Sequence, residues 1–565
     1  MLENLLSYLG ITLLVSFLRS PQSAPVVTDA SGLSYIGLRN LTSGQDYFLG
    51  IPYAEPPIGS LRFKPPVAWS RRNTTAVKAT KYGYTCVQQA GDNLSEDCLT
   101  LNIWKPTNVD SKLPVMVWIL TVSTSDGGGF YAGSTEQYPG NFLVERAICT
   151  GKPVIYVAMN YRLGLYGFPP GQAASDAGAS NLGLKDQRLA LEWIQNNIAS
   201  FGGDPEKVTL FGESAGALSV EYQAFYKGGD IGGVFRGMIP ESGSPSSLRV
   251  FKPNDPIKEE AFKLIAKKAG CDPYAPDAFE CVRGAPAEVL EQANKDLMKR
   301  EPYFQAPGQA PTVFTAVQAP GDDFLVDDPS TLLDSGKFAK VPFINGAQLD
   351  EGTLFGNGAT LNTDEDVFKW ITARSTGYDT GYDMSIDDGA AARRLLEYYS
   401  DDPKQGSPYG TGEETFGQGS QFKRFSSIFG DLIFQAPRRQ HLRAATKFGV
   451  KSWSYIFFQT PADFVPAWGV RHGGDIAFVF QMLGVFDPSA PPELLDFVHT
   501  IADYWLNFAY YLDPNSESLT KVPYWPPYDT DASALQLLAN NITSFKDSFR
   551  AEAIDFIIRT PALHS

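Results

Sequence analysis

A serine lies at the centre of a Gly-x-Ser-x-Gly motif, Gly212–Gly216 (GESAG), between a β-rich run and a helical pattern. In this strand–turn–helix setting a serine acts as a nucleophile, because the sharp turn lifts its hydroxyl above the sheet. Gly212 and Gly216 lack Cβ atoms, so the strand and the helix can approach closely. The helix N-terminus would also favour developing negative charge. The motif therefore predicts that Ser214 is a nucleophile.

A serine hydroxyl needs a general base, and the chain has only four histidines. His441 and His499 lie within helical patterns, and His564 is the penultimate residue. His472 lies in a glycine-flanked loop (GVRHGG) that follows a predicted strand. Because α/β proteins place their sites in loops at strand ends, His472 is the predicted base.

The base in turn needs an acid that orients it. Asp350 and Glu351 both follow a predicted buried strand directly. Adjacent side chains point in different directions, so only one of the two can face His472. The local pattern does not choose between them, but the order serine, acid, histidine is the one found in α/β-hydrolases.

Short β-rich runs alternate with helical patterns along the chain. The continuous apolar character of these runs is typical of parallel strands covered on both faces. One helical pattern, LGLKDQRLALEWIQNNIASF, places Leu184, Leu191, Ile194 and Ile198 on one stripe. The predicted fold class is therefore α/β, with a large, mostly parallel central sheet and helices on both faces. The predicted strands are Val115–Ile119, Val154–Met159, Val208–Phe211, Val341–Asn345 and Trp453–Phe458.

Composition excludes several classes of function. The 565 residues include 63 Asp and Glu against 47 Lys and Arg, a net charge of −16 that argues against nucleic-acid partners. No Cys/His cluster indicates zinc, and we expect no metal and no cofactor.

Asp401–Ser420 is rich in Gly, Pro and polar residues and predicts a long flexible surface loop.

The N-terminal apolar run Leu5–Leu18 is too short to span a bilayer and precedes small, turn-forming residues, as in a secretory signal. Glu3, with no Lys or Arg near it, also fits an amphipathic N-terminal helix. We expect a signal peptide over residues 1–24, a single domain over residues 25–565, secretion, and no stable membrane anchor. Oligomeric state is not readable from the sequence. Four N-x-S/T sequons, at Asn40, Asn73, Asn93 and Asn541, agree weakly with export.

The five cysteines divide into two pairs and a single residue. Cys86 and Cys98 flank one short polar stretch, and Cys271 and Cys281 flank another, so each pair could close a small loop. Cys149 lies beside a predicted strand and is expected to be a free buried thiol.

Several longer motifs together resemble the type-B carboxylesterase/lipase family, the cholinesterase-like α/β-hydrolases. They include YFLGIPYAEPPIGSLRF, SEDCLTLNIWKP, NYRLGLYGF, VTLFGESAG, LDEGTLF and GVRHGGDIAFVF. The resemblance implies a serine ester hydrolase with Ser214 as nucleophile, His472 as base and Glu351 as acid. It also implies that Glu213 lies near the site, where it either tunes the electrostatics or is structural.

The first departure from the family precedes the glycines of the oxyanion hole. Seven residues, Leu120–Asp126, separate Trp118-Ile119 from Gly127-Gly128-Gly129-Phe130, where the family has one. The resemblance implies that the backbone N–H groups of Gly128, Gly129 and Ala215 bind the oxyanion, and removing one such donor typically costs 10²–10³ in rate. The insertion either bulges into solvent, displaces the loop, or is an error of the gene model. We expect a bulge or an error, because GGGFYAGS is intact.

The second departure is the loop between Cys86 and Cys98. The corresponding loop is longer in the family, where it forms a lid in lipases and carries a cation-binding aromatic residue in cholinesterases. Here VQQAGDNLSED contains no Trp, Tyr or Phe. We therefore expect hydrolysis of soluble, small-molecule esters. The alternatives are a lipase and a weakly active or non-catalytic, neuroligin-like binding protein.

Overall fold

The computed structural model describes residues 23–71, 73–88, 91–107, 112–120, 129–298, 312–355, 358–372, 389–515, 522–560 and 563. Nearly all of the predicted signal peptide, His564, Gly128 and the inserted residues after Leu120 lie outside the described residues.

The centre of the fold is a sheet in which eleven strands of the described chain are hydrogen-bonded side by side. The seven strands from Ser533–Leu537 to Ile155–Met159 in the order below run parallel, and the remaining strands at both edges pair antiparallel. The spatial order is Thr543–Lys546, Ser533–Leu537, Ser452–Phe457, Phe343–Gln348, Gly237–Glu241, Gly203–Glu213, Leu113–Ile119, Ile155–Met159, Thr100–Pro106, Gln45–Pro52, Leu38–Asn40.

The central strands are buried along their whole length, as their continuous apolar sequences predict. All residues of Leu113–Ile119, Ile155–Met159 and Ser452–Phe457 are buried. Helices cover both faces of the sheet, because parallel strands joined by helical crossovers need cover on each side. The predicted α/β-hydrolase fold is confirmed, and the five predicted strands are present with ends shifted by a few residues.

The other elements surround this sheet. Small sheets pair Val26–Thr28 and Ala76–Lys78 with Ser34–Ile36, and Thr85–Cys86 with Leu94–Ser95. The α-helices of the described chain are Asn141–Cys149, Gly164–Gly167, Gln172–Asp176, Leu182–Asn197, Ala215–Phe225, Pro256–Lys268, Ala278–Gly284, Ala287–Met298, Pro329–Asp334, Asp364–Thr372, Gly389–Glu397, Phe422–Gly430, Ala436–Lys447, Ile476–Val479, Leu483–Phe486, Pro492–Tyr511 and Ala551–Arg559. Over the part of the chain that the structure describes, no helix combines the length and apolarity needed to cross a bilayer.

The apolar side chains form two buried clusters of unequal size. The larger surrounds the sheet and includes the stripe of helix Leu182–Asn197. The smaller joins Phe355 to helices Asp364–Thr372, Gly389–Glu397, Phe422–Gly430 and Ala551–Arg559, which pack beside the loop after strand Phe343–Gln348.

The segment Asp401–Ser420 differs from its prediction as a flexible surface loop. It is irregular apart from the short 3₁₀ helix Pro403–Gln405, and many of its residues are exposed. Its centre, however, is packed, because Gly406–Pro408 is buried and the Ser407 hydroxyl donates to Asp350. Polar composition does not reveal that a buried carboxylate elsewhere in the chain draws this segment inward.

The cysteines form both of the expected pairs. Cys86 is bonded to Cys98 and Cys271 to Cys281, with Cα atoms 5.0 and 5.9 Å apart. The expectation for Cys149 is half wrong: its thiol is free, but it is exposed. Helix Asn141–Cys149 buries Leu143, Val144 and Ala147, and a residue two positions beyond Ala147 faces the opposite side of the helix.

The turn between strand Gly203–Glu213 and helix Ala215–Phe225 depends on the two glycines of the motif. A Cβ atom on Gly212 would lie 2.7 Å from the Gly216 carbonyl carbon and 2.8 Å from the Ile119 carbonyl oxygen. A Cβ atom on Gly216 would overlap that same oxygen. The helix therefore starts in direct contact with the backbone of the neighbouring strand.

We expect Gly216→Ala to lower the free energy of unfolding by about 1–3 kcal/mol, because the added methyl group would overlap the rigid backbone of the neighbouring strand. Denaturant unfolding measures this. Gly284→Ala is the matched control, since a Cβ atom there has no neighbour within 4 Å and alanine favours its helix. Equal stability of the two variants would contradict the close approach.

Candidate active site

Ser214 lies at the turn between the strand and the helix with a backbone that non-glycine residues rarely adopt. Its φ is 56° and its ψ is −122°. Its N–H donates to the Glu241 carbonyl at 2.9 Å, and its carbonyl accepts from Leu218 at 3.0 Å, which hold the turn on both sides. Local strain of this kind recurs at functional sites, where the surrounding structure holds it.

The imidazole of His472 lies against the carboxylate of Glu351, and both residues are buried. Nδ1 of His472 is 2.6 Å from Oε2 of Glu351, while Oε1 accepts from the Gln348 N–H at 2.7 Å. Of the two adjacent acids, Glu351 is therefore the one that contacts His472. Asp350 turns away and accepts hydrogen bonds from Ser407, Tyr409 and Val470.

The other ring nitrogen of His472 faces Glu213. Its Nε2 is 3.2 Å from Oε1 of Glu213, the residue that precedes Ser214. Glu213 is fully buried, and burial raises the pKa of its carboxyl group to about 8, with Asp475 and Glu351 adding to the rise and His472 opposing it. This carboxyl group therefore retains a proton at a higher pH than a surface glutamate does.

Two further buried carboxyl groups, those of Glu241 and Asp475, lie near Glu213. Glu241 accepts from the Trp505 Nε1–H at 2.7 Å, and Asp475 accepts from the Tyr455 hydroxyl at 2.7 Å. Burial raises the pKa of Asp475 to about 6 and raises that of Glu241.

These charges determine the direction in which the pKa of the His472 imidazole is shifted. Burial by itself lowers its pKa, but the carboxylates of Glu213 and Glu351 more than offset this, and the pKa lies above the ordinary 6.5. The ring is also enclosed by aromatic side chains, with centroids 4.7 Å away for Phe434 and 5.3 Å away for Phe355. Low polarity around the ring strengthens its contact with Glu351.

A mostly apolar cavity opens at Ser214. Its wall includes Phe355 and Phe434, the two aromatic residues whose rings contact His472. The lining residues are Gly129, Phe130, Tyr131, Ser214, Ala215, Leu218, Ser242, Gly243, Ser247, Leu248, Thr315, Phe355, Ile433 and Phe434.

Ile433 and Phe434 reach the cavity from a π-helical segment, Asp431–Gln435, which joins helix Phe422–Gly430 to helix Ala436–Lys447. Arg550 holds Asp431 through two hydrogen bonds of 2.6 and 2.7 Å. This segment was not predicted from the sequence. The available signal was Pro437, which has no N–H to donate to the carbonyl four residues earlier and so predicts an irregular helix there.

The predicted oxyanion donors are only partly described. Gly129 and Ala215 line the cavity beside Ser214, and Gly128 lies outside the described residues. His441 and His499 belong to helices Ala436–Lys447 and Pro492–Tyr511, as their patterns predict. Among the described residues no group of His, Cys, Asp and Glu is arranged to hold a metal ion.

Comparison with known families matches residues 35–557 to the model of the carboxylesterase family. The chain belongs to the carboxylesterase family. Carboxylic ester hydrolysis, the activity predicted from the motifs, is thereby confirmed at the level of the family.

Individual relatives of this carboxylesterase are fungal. It is 36% identical to Lipase 1 of Geotrichum candidum over 557 residues, which cover 90% of this chain and 91% of that one. It is 35% identical to Secreted lipase 1 of Botryotinia fuckeliana, with 95% and 93% covered. The crystal structure of Aspergillus niger EstA matches with a TM-score of 0.78 at 25% identity and covers 96% of this chain and 99% of that one.

The His472 environment generates a spectroscopic prediction. We expect the His472 imidazole of the carboxylesterase to titrate above 6.5, and its pKa to fall in Glu351→Gln, because the charged partner of Nδ1 is removed. NMR of histidine-labelled protein measures this, with only four histidine signals to assign.

His499 supplies the internal control in the same spectra. Desolvation and the nearby Arg146 guanidinium lower its pKa, so its signal should titrate below 6.5 and stay unchanged in Glu351→Gln. A His472 pKa that is the same in both proteins would contradict the ion-pair geometry.

Proposed function

We propose that the enzyme hydrolyses carboxylic esters through an acyl-enzyme on Ser214, with His472 as general base and Glu351 as the acid that orients it. The carrying observation is the 2.6 Å contact between His472 and Glu351 beside the strained turn of Ser214. Glu351 stabilises one imidazole tautomer and the imidazolium that forms during the reaction.

The reaction has two halves of the same form. Ser214 Oγ attacks the ester carbonyl while Nε2 of His472 takes its proton, and the N–H groups of Gly128, Gly129 and Ala215 bind the oxyanion. His472 then protonates the departing alcohol, and an acyl-enzyme remains. Water attacks this ester with His472 again as base, which releases the acid. Glu213, on the Nε2 side of the ring, tunes the charge of the imidazole.

We propose soluble esters as the substrate class, on the basis of the loop between Cys86 and Cys98. Gln88 makes two hydrogen bonds with the backbone of Gly133, at 2.8 and 3.1 Å. Near the other end of the loop, Glu96 makes two bonds of 2.7 Å with Arg62. A short loop tied down at both ends is a poor lid for binding an oil–water interface.

A lipase is the second candidate, because relatives of high similarity carry that name, including the Secreted triacylglycerol lipase LIP1 of Gibberella zeae at 34% identity. The apolar cavity wall would suit an acyl chain in either case. A non-catalytic binding protein is disfavoured, because such a protein has no need of the buried His472–Glu351 pair.

Secretion is part of the proposal. Two disulfides are typical of oxidising compartments, and two of the relatives carry "secreted" in their names. The apolar run Leu5–Leu18 supplies the signal.

We expect Ser214→Ala to lower the turnover of p-nitrophenyl acetate by several orders of magnitude and to abolish covalent labelling by a fluorophosphonate. Ser335→Ala, at an exposed serine that ends helix Pro329–Asp334, is the control and should keep full activity and labelling. Labelling that persists in Ser214→Ala, or unchanged turnover, would refute the nucleophile.

The substrate class is tested with esters of increasing chain length on both sides of their solubility limits. We expect rates to saturate with dissolved ester and not to rise when an emulsion forms, since the tied loop cannot open towards an interface. A sharp increase at the solubility limit, with triglyceride emulsions hydrolysed faster than soluble esters, would favour the lipase instead.

A further inference from the structure

Asp350 is a buried carboxylate that the proposed reaction does not use. It is 2% exposed and precedes Glu351, the proposed acid. Its side chain points away from His472 and into the junction of three chain segments. A carboxylate in such a place needs several donors to offset its lost hydration.

The donors to Asp350 come from two segments that are remote in the sequence. Oδ1 accepts from the Ser407 hydroxyl at 2.8 Å and from the Tyr409 N–H at 2.9 Å. Oδ2 accepts from the Val470 N–H at 2.9 Å. Arg550 adds an attractive charge, although burial still raises the pKa of the Asp350 carboxyl group.

Val470 precedes the proposed base by two residues. Its backbone N–H donates a hydrogen bond to Asp350, and its backbone carbonyl accepts one from Asp350. The Asp350 N–H donates to the Val470 carbonyl at 3.0 Å, so backbone and side chain of Asp350 grip the same residue. Gly469 has φ 57°, and a Cβ atom there would overlap Oδ2 of Asp350 and lie 2.9 Å from Pro408. The histidine loop is therefore built around this carboxylate.

The turn that carries Glu351 is held to the same loop from a second point. The Thr353 hydroxyl contacts the carbonyls of Asp350 and Trp468 at 2.9 and 2.7 Å. The distance between the two backbones that carry Glu351 and His472 is thus set by several hydrogen bonds, most of which involve Asp350.

We propose that Asp350 is a positioning residue, whose carboxylate fixes the His472 loop against the Glu351 turn and holds the imidazole and its acid in contact. The inference rests on the proposed roles of Glu351 and His472 in ester hydrolysis. The two adjacent acids then serve one site by different routes: Glu351 touches the imidazole, and Asp350 holds the loop that carries it.

Asparagine at position 350 has nearly the same shape as aspartate, but it cannot accept all three of these hydrogen bonds. Its single carbonyl oxygen can accept either from the Ser407–Tyr409 side or from Val470. Its amide group then faces a backbone N–H on the other side, donor against donor. Displacement of a reacting group by about 1 Å can cost about 10²-fold in rate.

The test compares Asp350→Asn and Ser407→Ala with the wild-type enzyme. Active sites are counted by fluorophosphonate titration, and the His472 pKa is measured by NMR. We expect Asp350→Asn to lower kcat per active site about 10- to 100-fold with little change in KM, and to lower the His472 pKa as its contact with Glu351 loosens. Ser407→Ala removes one donor and should show smaller changes in the same directions.

Asp322→Asn is the matched control. Asp322 is also buried, with a raised pKa, and accepts backbone hydrogen bonds from Phe324 and Leu325, none of which lines the cavity at Ser214. This variant should lose thermal stability and keep the wild-type kcat per active site and His472 pKa. A merely structural Asp350 would behave in the same way.

The inference is overturned if Asp350→Asn keeps the wild-type kcat per active site and His472 pKa. Should that variant fail to fold, an unchanged Ser407→Ala enzyme overturns it equally. Failure of the proposed function gives a different result, because Glu351→Gln would then be fully active although it leaves the bonds of Asp350 in place.

Discussion

The buried contact between an imidazole and a carboxylate is the interaction around which this site is organised. Neither group tolerates burial alone, so each requires the other at hydrogen-bond distance and in a fixed orientation. Glu351 follows strand Phe343–Gln348, and His472 lies in the loop after Ser452–Phe457, the next strand in the sheet. Ser214 follows Gly203–Glu213, separated from them by one further strand. Because these strands are parallel, their carboxyl ends lie at the same edge of the sheet. The three residues therefore meet at this edge although they are far apart in the sequence.

Charge and apolar packing act together at this edge. Glu213, Glu241 and Asp475 form a group of three further buried carboxyl groups at the site, and burial raises the pKa of each. Phe355 and Phe434 pack against the imidazole ring. A low-polarity setting amplifies each electrostatic contact, so the protonation of the imidazole is governed by neighbours and not by solvent.

The strands of the sheet position Ser214, Glu351 and His472, and the loops form the surroundings of these residues. The π-helical segment inserts two apolar side chains into the cavity, and the disulfide loop is tied to Arg62 and Gly133. Relatives that are about one third identical share this framework over nine tenths of the chain. Residues in such loops can change without disturbing the buried strands.

The sequence by itself determined the fold class, the nucleophile motif and the loop histidine, because continuous apolar strands and a Gly-x-Ser-x-Gly turn are local patterns. The local pattern did not distinguish Asp350 from Glu351, because two adjacent acids after one strand differ only in their contacts in space, and only the resemblance to the family indicated Glu351. The tertiary structure shows that Glu351 is the acid in contact with His472, that Cys149 is exposed, that the Ser407 hydroxyl donates to Asp350, and that aromatic side chains pack around His472. Each of these outcomes depends on a partner remote in the chain, which no local pattern encodes.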